Sequence, residues 1–346
     1  MANVVYGQMG GTRDALFGKF EHKIKGFIEH ESNLCEKEKT ILDHLYNVEK
    51  SNSFSEAYTG ETEFDTFMSM SEGQEVDNDS VSETFRKVFT HNQYGKSFAI
   101  TRQMADDAKF GMGAEMKSKP KAFTRAFYKT RVDAAEQALI HGTDSSMTFN
   151  RANIDLTTGD GLPLFHSNHP FASAKHKSKK QSNFFYGNFT DGADFEKTLS
   201  TLAIKMRNFK DENNRPMGYI ADTVVIPGNR PDLERMVKKV IGSERTVGSS
   251  FNDINTQYGN WGITVLNGWE ADDDRFMIMS SAANKTLCGN MFFNRVNLEV
   301  RSWIDDLTYN YMWSGYCRFG LGFRTWKHMA LYVNSASAVT GATELN

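Results

Sequence analysis

A chain of 346 residues with 39 % apolar and 24 % charged content can bury a sizeable core, which excludes a disordered polar chain. Its net charge of −3 is too small to imply a strongly charged partner, so any basic surface must be local. Cys35, Cys288 and Cys317 are scattered and odd in number, which excludes a disulfide framework, and no apolar run reaches the length of a membrane helix.

In chain order, residues 1–7 lack the basic start and apolar stretch of a signal peptide, so the chain is expected to be soluble and to stay where it is made. Residues 1–60 are charged and weakly periodic. They read as an extended N-terminal arm with one helix over 36–48, where Ile41, Leu42, Leu45 and Val48 recur at three- and four-residue steps. Residues 63–102 have the pattern of a projecting hairpin. An acidic, turn-prone tip lies at 71–79, a return strand of period two runs over 83–90, and residues 94–102 close that second strand. So polar a hairpin cannot supply its own core and needs another surface to lie on. The candidates for contact with a neighbouring copy are Glu72, Glu75, Asp77 and Asp79 at the tip, with Arg86 and Lys87 on the return strand.

A short helix near 103–110 is broken by Gly111 and Gly113. The longest helix signal follows over 119–140, with Ser118 as cap and Pro120 in the first turn. Phe123, Phe127, Ala134, Ala135, Ala138 and Leu139 form one face, and the helix spans roughly 30 Å. Residues 143–188 read as loop. Asp191 opens an amphipathic helix with Phe195, Leu199, Leu202, Met206 and Phe209 inward. A strand over 221–226, a helix from Pro231, and strands over 261–266 and 275–279 around a solvated acidic hairpin turn come next. Strand and turn then alternate down to Tyr332, which makes the fold class α+β with strands concentrated late.

Candidate chemistry is sparse. His166, His169 and His176 could bind zinc and support a metal-dependent hydrolase, but Pro163 and Pro170 oppose a helix that would hold the pair. Asp272, Asp273 and Asp274 lack the alternating ligands of a calcium loop. Gly320-Leu321-Gly322 sits in a strand-like run and reads as a close backbone approach. Lys175, Lys177, Lys179 and Lys180 before Phe184-Phe185-Tyr186 have the ingredients of single-strand binding, though a solvated loop before a core-bound aromatic segment is favoured. There is no catalytic constellation, and no enzyme, cofactor or metal is expected.

The order of parts is the specific signal. A hairpin arm at 63–102, Gly95 to Arg102 with Asp106-Asp107, the long helix at 119–140, Leu162 to Pro170, Asp222 to Pro227 before a helix, and Arg318 to Phe323 through Tyr332 follow one another. This order resembles the major capsid proteins of tailed bacteriophages, with the Hong Kong 97-type fold, and is most similar to Mu-like head subunits. The resemblance implies an N-terminal arm (1–60), an extended loop (61–104), a spine helix and first part of the peripheral domain (105–190), an axial domain (191–288), and a return to the peripheral domain with a tail (289–346). It also implies hexamers and pentamers of an icosahedral virion shell, assembled in the host cytoplasm. The implied partners are the chain itself, a portal protein, a decoration protein and packaged double-stranded DNA held by weak non-specific contact, with no membrane. Because Met1 stands almost directly before the arm, a separate scaffolding protein is expected. An encapsulin-like nanocompartment shares this fold and is the alternative. Some relatives carry covalent cross-links from an extended-loop lysine, for which Lys87 and Lys96 are the donors available here.

Overall fold

The computed structural model describes residues 5–6, 15–62, 64, 66–76, 78, 81–108, 113–173, 176–245 and 254–345. A five-stranded sheet is built on a long antiparallel pair, Asn290–Ile304 and Tyr311–Phe323. Asn92–Ile100 lies along the outer side of Tyr311–Phe323. Val5–Tyr6 and Asn47–Lys50 run parallel to Asn290–Ile304 on its other side. Burial alternates along Tyr311–Arg318, as in a strand with one covered face, and is unbroken from Phe319 to Phe323, where both faces are enclosed.

A second, mixed sheet of six strands runs in the order Gly262–Leu266, Thr223–Pro227, Arg275–Met279, Met329–Asn334, Phe184–Gly187, Thr343–Glu344. Helices Gly192–Arg207 and Pro231–Gly242 turn Phe195, Leu199, Leu202, Met206, Leu233, Val237 and Val240 into the core shared with this sheet. Asp191 caps the first of them by accepting from the backbone N–H groups of Ala193 and Asp194, both at 2.9 Å. The acidic turn differs from its sequence reading. Gly262–Leu266 and Arg275–Met279 flank Thr223–Pro227 rather than each other, so residues 267–274 form a crossover, not a hairpin. Within it Asp274 pairs with Arg230 at 2.7 Å and Asp273 holds Arg275, so two of the three carboxylates are tied to arginines while Asp272 stays exposed.

The long helix joins the two layers. It runs over Ala114–Ile140, with Gly113 as its cap; Ser118 instead bonds back to the carbonyl of Glu115 at 3.1 Å. Pro120 therefore lies inside the helix. Ala134, Ala135, Ala138 and Leu139 enter the core of the second sheet, and Phe123 packs on the first. A Cβ at Gly315 would fall 2.4 Å from the Phe123 ring, so glycine is what lets the helix rest directly on the strand backbone.

The N-terminal region also differs from expectation. Ala15–Cys35 is a helix of 21 residues, and Phe20, Ile24 and Ile28 bury four residues apart against Ile100, Leu298, Val300 and Trp313. Its last turns are tied to the long helix by Glu31 with Arg125 and by Ser32 Oγ to Tyr128 Oη at 2.7 Å. Of residues 36–48 only Ile41–Leu45 is helical, because Asp43 accepts from the Thr40 N–H and fixes the start there. Val48 belongs to a strand and is exposed. Within 143–188, read as loop, Ser146–Phe149 and Ala152–Asp155 pair as a hairpin whose turn residues Asn150 and Arg151 have φ of 46° and 72°.

Candidate assembly interface

The arm begins at Ser55–Glu61, which pairs antiparallel with Glu83–Thr90. Residues 92–100 do not extend that hairpin; they return to the five-stranded sheet. The polar strands lie on the chain's own body. Phe89 is 2 % exposed and packs on Met291 and Phe293, with its ring 5.1 Å from that of Phe293. Lys87 is buried too, and its Nζ lies 2.6 Å from Asp155 Oδ2 and 3.1 Å from Thr157 Oγ1. Burial lowers the Lys87 pKa and the Asp155 carboxylate opposes it, while the Asp155 pKa falls because its bonds from Lys87 and Thr157 outweigh its own desolvation. Arg324 reaches the Thr59 carbonyl from the body at 3.3 Å.

At the arm's root the chain leaves the sheet after Lys50 and re-enters it at Asn92. Ser51 joins the two crossing points, with Glu56 Oε1 at 2.6 Å and His91 Nε2 at 2.9 Å from its Oγ. Gly320-Leu321-Gly322 faces this root. A Cβ at Gly320 would lie 2.5 Å from the Thr90 carbonyl oxygen and 2.7 Å from His91 Nδ1, which is the close approach the sequence suggested.

The tip is different. Thr62 and Ser82 close the neck, with a backbone bond of 2.9 Å and a side-chain bond of 2.8 Å. Beyond it Phe64, Phe67, Met68, Met70 and Val76 all stand exposed, Phe67 fully so. Gly73, at φ +81°, lets the chain turn between Ser71 and Gln74. Glu72, Glu75 and Arg86 are exposed and make no ion pair among the described residues; Asp77 and Asp79 lie outside them, as do Lys175 and Gly111. Of the six contact candidates, then, the structure turns Glu72, Glu75 and Arg86 outward and commits Lys87 to its own chain. Weighing acidity alone misses the apolar tip side chains, although Phe64, Phe67, Met68 and Met70 are plain in the sequence.

Two of the histidines meet without forming a metal cluster, the His166 and His169 rings lying 5.9 Å apart edge to face. His169 is fully buried, with Nδ1 at 2.7 Å from Asp160 Oδ2 and Nε2 at 3.2 Å from Asn183 Oδ1, and its ring stacks on Trp326 at 4.5 Å. His166 Nδ1 accepts from the Asn168 N–H, and His176 lies against Phe171. Among the described residues no group of three or more His, Cys, Asp or Glu could hold a metal. Phe184 and Phe185 are buried in their strand and Tyr186 is half-buried, so two of the three aromatics beside the basic loop are committed to the core.

A family model described as phage capsid protein matches residues 85–334. No curated protein matches significantly. Among solved structures the chain is similar to one in the capsid structure of the cyanophage P-SCSP1u, with 13 % identity over 86 % of this chain and 89 % of that one and a TM-score of 0.50. It is also similar to one from Mycobacterium phage Patience, with 16 % identity over 95 % and 90 % of the two chains and a TM-score of 0.50. At these identities the likeness shows the fold.

Proposed function

Because the chain belongs to the phage capsid protein family, we propose that it is the major head subunit of a tailed phage, forming hexamers and pentamers of an icosahedral shell around double-stranded DNA. It is a structural protein of the virion rather than an enzyme. The observation that carries the assembly role is the division of the arm, whose base is fastened to its own body while its tip presents apolar and acidic groups outward. Exposed apolar clusters of this kind mark contact sites. Glu72, Glu75, Asp77, Asp79 and Arg86 are proposed to meet a neighbouring copy, with Lys87 holding the strand that carries them.

We assign the five-stranded sheet and the long helix to a peripheral layer, joined by the helix of the N-terminal arm, and the six-stranded sheet with its two helices to an axial layer, which extends the axial part beyond 191–288 to take in Phe184–Gly187, Met329–Asn334 and Thr343–Glu344. The order of parts supports placement near Mu-like heads, with a portal, a separate scaffolding protein and a decoration protein as further partners. Weak contacts repeated around a closed shell reinforce one another, so no single one need be strong.

Electron microscopy of the chain expressed alone, then with candidate scaffolding partners, tests this reading. Rings, tubes or closed shells are expected, and a monomer under every condition would refute it. Deletion of residues 72–79 is expected to leave a folded subunit that assembles poorly, because the neck at Thr62 and Ser82 and everything beneath it are retained. Normal particles from that deletion would remove the arm tip from assembly.

A further inference from the structure

We infer that the root of the arm carries a phosphate-binding site formed by Arg295 and Arg318. The strand register brings the two arginines together. Arg318 stands opposite Val296 in the long antiparallel pair, and the pairing shifts between Asn294 and Val296, so Arg295 is the extra residue of a bulge beside it. A bulge re-aims the side chain it inserts. Both guanidiniums act on the buried His91 ring, which lies 6.1 Å from the ring of Phe293 under the arm, so the pair belongs to the face of the sheet that carries the arm.

Both arginines are half-buried, yet neither makes a hydrogen bond or ion pair among the described residues, and Arg295 Nε is buried without an acceptor. A buried donor in that position calls for a partner. The neighbouring acids are engaged elsewhere: Glu56 Oε1 accepts from Ser51 at 2.6 Å, and Glu49 Oε2 accepts from Tyr58 at 2.7 Å. Glu299 stands opposite Tyr316, further along the same strands, and forms no ion pair with either arginine. Burial first, then Arg318 with Arg295, lowers the His91 pKa against the pull of Glu56, so the ring is neutral near pH 7. The excess charge is then that of two guanidiniums, which a phosphate group at about −1.5 to −2 balances and a single carboxylate does not. Arg318 lies over the exposed Phe54 ring at 5.6 Å. Stacking occupies the face of the guanidinium and leaves its edge N–H groups for phosphate oxygens, which the planar fork takes two at a time. Phe54 stands where the chain enters the arm, so a phosphate on Arg318 and Arg295 ties that crossing to the sheet beneath it.

Equilibrium dialysis of the full chain against radiolabelled inorganic phosphate, at pH 7.5 and constant ionic strength, tests the site. One phosphate per subunit is expected, with affinity falling at least tenfold in Arg295→Gln and in Arg318→Gln. Lys205→Gln, which removes an exposed cation from a helix of the other sheet, should bind as the parent does. No saturable binding by the parent, unchanged binding in both arginine variants, or an equal loss in Lys205→Gln overturns the assignment. Should Arg295→Gln fail to fold by circular dichroism, Arg295→Lys takes its place. It keeps the charge but loses the fork, and a severalfold loss supports the site while full affinity counts against it. Phosphate should also slow proteolysis between residues 51 and 91 relative to chloride in the parent and not in Arg318→Gln; equal slowing in both would mean general salting-out and sink the link to the arm. Competition with a short DNA duplex identifies the source of the group. Displacement of the label points to a nucleic-acid phosphate and retention to the free ion, and each outcome keeps the site.

Discussion

Asp160→Ala is expected to lower the unfolding free energy at neutral pH by about 3–5 kcal/mol, the cost of stripping one partner from a buried ion pair. Asn183 donates from Nδ2 to the carbonyls of Leu164 and Met329, at 2.8 and 3.1 Å, so its Oδ1 is the atom turned to His169. Both ring nitrogens of His169 then face acceptors, Asp160 on one side and Asn183 on the other, the bonding pattern of an imidazolium. Removing the carboxylate would leave the Nδ1 side of that ring without an acceptor, along with the Thr158 hydroxyl and the Leu162 N–H that Asp160 also accepts from. Asp160→Asn should be milder, about 1–2 kcal/mol, because the amide oxygen keeps those two donors and its NH₂ can donate to a neutral ring. Burial raises the Asp160 pKa, but the bonds and charge of His169, with Thr158 and Leu162, outweigh it and hold the carboxyl below its ordinary value. Its contribution is therefore present above the unfolded carboxyl pKa of about 3.9 and is lost as pH falls through the lower folded value. Urea unfolding at pH 7 and pH 3 checks this. The stability lost between the two pH values should shrink in both variants, and an unchanged difference would count against the ion pair. The loss would reach the arm as well, since Gly159 lies against Phe85 on the return strand and bonds to Arg324.

How much of this was legible in the sequence depended on whether a local pattern had one cause. The helix opened by Asp191 was readable because cap and apolar spacing agree, and Phe195, Leu199, Leu202 and Met206 are all buried as that spacing requires. The N-terminal helix was equally periodic at Phe20, Ile24 and Ile28, but lysines, glutamates and histidines between them hid a narrow stripe. The start of the long helix at Ala114 is hidden in the sequence because a glycine cap is a weak signal and Ser118 a strong one. Which sheet edge a strand joins is a long-range matter. Nothing local in residues 92–100 says that they pair with Tyr311–Phe323 and not with the arm. Lys87 shows the same limit at the candidate interface. Its charge and its alternating strand suggest an outward contact, and it is the distant Asp155 and Thr157 that make burial tolerable. The exposed tip could be read as a tip because Gly73 and its acidic neighbours have no other use.

Gly320→Val is expected to separate assembly from folding. At this position a Cβ meets the Thr90 carbonyl oxygen at 2.5 Å and the ring of His91, which is itself bonded to Ser51. A carbonyl in the backbone cannot rotate aside as a side chain can, so the strand that re-enters the sheet must move away from Phe319-Gly320. Overpacking of this kind costs about 1–3 kcal/mol, occasionally more, against the roughly 5–15 kcal/mol typical of a folded domain. Phe319 and Leu321 on either side belong to the large core, but a cost of that size leaves the rest of it intact, so the subunit should still fold with a depressed melting temperature. The arm would lose its bolt, because Ser51, Glu56 and His91 keep their bonds only while both crossings stay in register. Limited proteolysis should then cut between residues 51 and 91 faster than in the parent, and particle yield should fall more steeply than the melting temperature suggests. Gly73→Ala serves as the contrast, since it strains a left-handed turn in the tip but meets nothing within 4 Å. If Gly320→Val assembles normally with an uncleaved arm, the root is not what holds the arm in place. The anchoring would then lie with Lys87 and Phe89, and Lys87→Ala would have to produce the cleavage instead.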